Sequence, residues 1–152
     1  MKATNAAYSL ISTPEGELEP GQCRPHFDSN RPHHLAILHY LNEGEFCDTG
    51  LFRQRATGLE KVTKEHVETY IQSCEAYAAA HGQPEQVYVK GSNDQYELFH
   101  RIDYRPNRLV VYPGCLLYSG LVNPAVDINP DPRSGRLTAN IFVDFFPLDA
   151  KD

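Results

Sequence analysis

From His33 to Leu41 the chain reads HHLAILHYL, apolar at nearly every position. An alternating strand keeps one wet face, whereas a run apolar on both faces belongs inside a packed layer. A strand over 33–41 is therefore expected, covered on each side. Further strands are expected over 7–12, 22–28, 49–55, 98–104, 108–112, 115–118 and 137–146, and 13–21, with two prolines and two glycines, reads as a loop. Between the early and late strands, Thr63 can cap a helix that runs to about His81 and stops at Gly82. Its Val67, Tyr70, Ile71, Cys74 and Ala78 share one face at helical spacing, which predicts a core-facing stripe. Strands flank one helix without βαβ alternation. Nine tyrosines, seven phenylalanines, eleven prolines and ten glycines suit a turn-rich β fold better than a helical bundle. At 152 residues the chain has the length of one domain, 1–152, with room for a core but not for a second one.

The last strand separates Leu137, Ala139, Ile141, Val143 and Phe145 from Thr138, Asn140, Phe142 and Asp144, so one face is expected to be core and the other to line a cavity. Ahead of it, the proline- and aspartate-rich stretch from Val122 to Ser134 has the length of a functional loop and is a candidate lid.

Charge and cysteine spacing narrow the partners. A net charge of −6 repels phosphate backbones and anionic lipid headgroups, so neither nucleic acid nor a membrane surface is expected. There is no apolar run of membrane-span or signal-peptide length, which leads to a cytoplasmic expectation. Cys23, Cys47, Cys74 and Cys115 are dispersed with no C-x-x-C pair, and read as reduced, mostly buried thiols.

No phosphate-cradling glycine loop, G-x-S-x-G elbow or H-E-x-x-H helix is present. What remains is His26-Phe27-Asp28. Residues two apart on a strand face the same way and can offer an imidazole and a carboxylate to one metal. The alternative is a surface histidine beside a turn-forming aspartate. Near the end, Arg136 presents a planar fork suited to a carboxylate, and Thr138 adds a hydroxyl on the same face. The pattern alone is uninformative, because Arg55-Ala56-Thr57 matches it equally well.

Order along the chain adds more. The segment RPHFDSNRPHHLAILHYLN resembles the H-x-D strand, turn and Y-L-N strand of prolyl-4-hydroxylase-like, iron(II)/2-oxoglutarate-dependent dioxygenases. Asp48 to Phe52 resembles their fourth-strand segment, Asn107 to Gly114 the strand and turn before the distal metal ligand, and Gly135 to Thr138 the co-substrate anchor. The resemblance spans about Ala7 to Phe146, in order, and is closest to a bacterial branch of that superfamily. It implies a double-stranded β-helix (jelly roll, cupin-like) with one main helix packed outside. It also implies Fe(II) and 2-oxoglutarate as cofactors, Arg136 and Thr138 as the 2-oxoglutarate anchor, and Tyr40 as an aromatic near the co-substrate.

The chain departs from that family at Tyr118, which stands where the family places its distal histidine. A phenol must lose a proton of pKa about 10 to bind a metal well, and then favours ferric iron. The expected metal set is therefore His26, Asp28 and Tyr118. Replacement by His39 or His100, or loss of iron, remains open. The resemblance implies a hydroxylase acting on a small-molecule or peptide substrate beneath the 122–134 loop. The departure favours a degenerate jelly roll that uses Arg136 to hold an anionic small molecule or a partner carboxylate. A cupin-like protein with another metal and reaction is a third reading, and a homodimer is the base-rate assembly.

Overall fold

The computed structural model describes residues 2–146, so the single-domain expectation over 1–152 runs past the described residues at both ends. Seven strands and one main helix make a mostly β protein: β1 (Lys2–Ser9), β2 (His34–Tyr40), β3 (Thr49–Gln54), α1 (Val67–His81), β4 (Tyr96–Ile102), β5 (Leu109–Pro113), β6 (Tyr118–Gly120), a short α2 (Pro124–Asp127) and β7 (Thr138–Asp144). They form two antiparallel sheets, one ordered β1-β7-β2-β5 and the other β4-β3-β6. Among the described residues no helix is long and apolar enough to cross a membrane.

Side-chain alternation stacks these elements into layers. Ala36, Leu38 and Tyr40 of β2 point inward with Tyr112 and Leu116, against Leu51 and Tyr118 of the smaller sheet, forming the core between sheets. Phe52, one residue out of step with Leu51, points the other way and joins Tyr96, Leu117 and Tyr70 in a second core beneath α1. The helix thus lies outside the three-stranded sheet. A three-residue 3-10 turn, Lys64–His66, precedes it, and Thr63 spends its hydroxyl on Glu65 and His66 rather than on a backbone amide. Gly82, at φ 86°, ends the helix with its amide on Ala78 O. Of the expected stripe, Tyr70 is buried and Val67, Cys74 and Ala78 are half-buried, but Ile71 is exposed because α1 meets the sheet along a narrow line.

Several boundaries differ from expectation. The 22–28 strand reduces to one bridge, His26 to Tyr118, because Pro25 and the turns around it leave no room for a ladder. Strand β1 begins at Lys2 and ends at Ser9, and β6 starts at Tyr118 rather than ending there. The largest difference concerns β2. Its inner positions are buried as expected, yet Leu35, Ile37 and His39, on the outer sheet face, are only half-buried. The apolar set Ala139, Ile141 and Val143 of β7 lies on that same outer face, in register with Ile37 and Leu35. The mixed set Thr138, Asn140 and Phe142 lines the space between the sheets, as expected of a cavity face, so it is the apolar set whose expected core position is not met.

Candidate functional site

That inner space is a cavity of about 380 Å³. Five of its walls matter chemically: His26, Tyr118, Arg136, Thr138 and Asn140. Arg136, Thr138 and two of the three metal candidates, 112 residues apart in sequence at their extremes, therefore share one chamber. Each is placed by backbone pairing. His26 and Tyr118 exchange both main-chain hydrogen bonds (3.0 and 2.9 Å), and the amides of Asp28 and Ser29 donate to Gly114 O. Gly114 has no side chain because a Cβ there would lie 2.4 Å from the His34 ring.

At one end, the Tyr118 hydroxyl donates to Asp28 Oδ1 at 2.9 Å, and the His26 and Tyr118 ring centroids lie 4.5 Å apart. Asp28 Oδ2 is the one fully buried side-chain oxygen without a partner among the described residues. Burial raises the Asp28 pKa, against the hydrogen bond from Tyr118 and the charges of His26 and His34. His26 opens onto the water-accessible chamber, yet the protein around it still strips hydration and pushes its imidazole below the ordinary value, against the pull of Asp28. Tyr118 is pushed well up, first by burial and then by Asp28, so the phenol keeps its proton.

An Fe(II) centre of the implied kind needs three ligands, and this donor set stops at two. Tyr118 is protonated and committed to Asp28. His39 bonds Asn107 on the outer side of the molecule, and His100 is exposed on β4. Among the described residues no group of three or more histidines, cysteines, aspartates or glutamates is placed to hold a metal. The residues present do not fit the iron.

At the other end of the chamber lies Arg136. Arg136 is 7 % exposed and makes a single hydrogen bond, Nε to Cys47 O at 3.0 Å, with no ion pair among the described residues. Its guanidinium lies 5.2 Å from the Tyr40 ring and 5.7 Å from Tyr104. Tyr40 thus supports the arginine from behind rather than lining the chamber, and its hydroxyl is tied to Thr49 Oγ1 at 2.8 Å. Thr138, also buried, sits beside it with its hydroxyl 3.5 Å from Ser9 O.

The 122–134 loop contributes nothing to this chamber. It borders a separate surface groove of about 560 Å³ through Val122, Asn123, Pro124 and Val126. It is pinned there: Asp127, 1 % exposed, accepts the Cys47 and Asn123 amides at 2.8 and 2.6 Å, and Asn42 donates to Pro132 O and Gly135 O. Asp127 therefore holds the Cys47 segment whose carbonyl meets Arg136.

Sequence reasoning missed one further cluster. His34 is buried with Nδ1 2.7 Å from Asp144 Oδ1, while Arg31 holds Asp144 Oδ2 at 2.6 Å. The adjacent pair His33-His34 carried no spacing signal, since the partner lies 110 residues away. All four cysteines are free.

No curated protein and no solved structure matches the chain. Over residues 1–143 it matches the model of DUF6445, a family of unknown function, and the chain belongs to that family.

Proposed function

We propose that this protein is a jelly-roll domain, built on the plan of the 2-oxoglutarate oxygenases, that binds a small anionic molecule through Arg136 and has lost the use of its metal end. Arg136 carries the reading. A buried charge without a counter-charge costs several kcal/mol, and a carboxylate entering the chamber would relieve that cost with a two-point hydrogen bond. Thr138 and Asn140 offer neutral donors beside it, and the chamber volume suits a small dicarboxylate or 2-oxo acid. Free thiols agree with a reducing, cytoplasmic setting. Calorimetry with 2-oxoglutarate, succinate and malonate in the presence of a chelator tests it. Binding of at least one is expected, weakened about 100-fold or more by Arg136→Ala and only partly restored by Arg136→Lys, which lacks the fork. Equal affinities for wild type and Arg136→Ala would overturn the reading.

A second reading, an oxygenase with an altered metal site, is favoured by the unpartnered Asp28 Oδ2 beside His26. It requires Tyr118 to give way. Anaerobic Fe(II) titration with 2-oxoglutarate separates the two: a charge-transfer band in wild type supports the oxygenase, and a band only in Tyr118→His supports the degenerate binding domain.

A further inference from the structure

We propose that the chamber selects a short acid of single negative charge whose far end is an uncharged hydrogen-bond donor, as in a hydroxy acid or a half-amide. This rests on the anion-binding reading above and narrows it from carboxylates in general to one class. The charge count carries the inference. Among the described residues that wall the chamber, Arg136 is the one Lys, Arg, Asp or Glu. His26 is the one other wall group that can turn positive, and loss of hydration disfavours that form. A first carboxylate therefore meets a buried guanidinium that has no other ion pair among the described residues. A second gives up water without gaining a counter-charge, so dicarboxylates bind, but more weakly. The carboxyl of Asp28 stands behind Tyr118, and the field at that end opposes a second anion further. An ammonium group fares no better, because no acid lines the chamber and the free Asp28 oxygen is buried behind its wall.

Unspent hydrogen bonds define the neutral end. Arg136 uses only Nε, on Cys47 O, and keeps both terminal nitrogens for the carboxylate. Thr138 and Asn140, alternate residues of β7, stand on the same wall. Asn140 directs Nδ2 to Ser9 Oγ at 2.7 Å, and its Oδ1 accepts from no described residue. That amide oxygen is open to a hydroxyl or an amide N–H. Ala36, Leu38 and Phe142 supply apolar wall for a short methylene chain.

Calorimetry of the full chain with a chelator, at about pH 8 where His26 is neutral, compares succinamate, succinate, 4-aminobutyrate and butyrate, all built on the same four-carbon chain. Succinamate is expected to bind at least ~10-fold more tightly than succinate and 4-aminobutyrate, and about 3-fold more tightly than butyrate, which lacks the donor. Succinate bound as tightly as succinamate, with both weakened in Arg136→Ala, overturns this selection and leaves the anion-binding reading standing. Binding indifferent to Arg136→Ala overturns both. Binding of none of these acids overturns the selection, and 2-oxoglutarate or malonate then decides the broader reading separately. Asn140→Asp, of the same shape, adds the missing acid to the wall. It should raise the affinity for 4-aminobutyrate relative to succinamate at least ~10-fold, and an unchanged ratio overturns the placing of the neutral end at Asn140. Should that variant fail to fold, the wild-type affinities decide alone.

Discussion

Asp28 holds a carboxylate that its surroundings push toward the neutral form. Its ordinary pKa is 3.8 and the folded value is higher, so above pH 3.8 the folded protein retains a proton that the unfolded chain has released. Stability contributed at low pH is therefore lost as pH rises through the interval between the two values. Asp28→Asn removes that dependence. Urea denaturation from acid to neutral pH should find the variant more stable than wild type at pH 7, with the advantage shrinking as pH falls toward 3.8; a difference that does not vary with pH would refute the assignment. Tyr118→Phe acts in the opposite sense, because it strips Asp28 Oδ1 of its donor and leaves both oxygens without partners. A loss of about 1–3 kcal/mol at neutral pH is expected from denaturant midpoints.

At the scale of elements, the α2 segment acts as a fastening. Asp127→Ala leaves the Cys47 and Asn123 amides without acceptors and should cost about 2–4 kcal/mol, measurable by chemical denaturation, with Asp127→Asn costing less. Because Cys47 O also receives Arg136 Nε, the same variant should weaken carboxylate binding without touching the chamber wall. Strand β3 packs between the helix and the larger sheet with no slack at Gly50. A Cβ there would lie 2.7 Å from Leu98 Cδ1, 2.8 Å from Phe52 Cε2 and 2.9 Å from Leu121 Cδ2, so Gly50→Ala should destabilise by about 1–3 kcal/mol through overpacking. Strand β1 is the contrary case. Its eight residues are all exposed and it is held only through β7, so its amides should exchange with deuterium faster than those of β2, which is paired on both edges.

Residues 2–146 form a helix, a three-stranded sheet and a four-stranded sheet in succession, with a chamber between the sheets. A carboxylate that binds the folded state alone should stabilise it by about 2.7 kcal/mol at a hundred times its dissociation constant, and the rise in melting temperature should vanish in Arg136→Ala.

The sequence by itself determined the local events. Strands on either side of one helix that ends at Gly82, with β2, β3, β4, β5 and β7 close to their expected places, follow from period and breakers, which act over a few residues. It also singled out Arg136, Thr138, His26 and Tyr118, which the fold gathers around one chamber. Only the tertiary structure decided that the apolar face of β7 lies on the outer side of its sheet, that the 122–134 loop borders a different groove, and that Tyr118 closes on Asp28 instead of leaving its oxygens free. It alone pairs His34 with Asp144, across 110 residues. The reason is physical: hydrophobic period reports that a residue avoids water without naming what covers it, and hydrogen-bond partners distant in sequence leave no periodic trace.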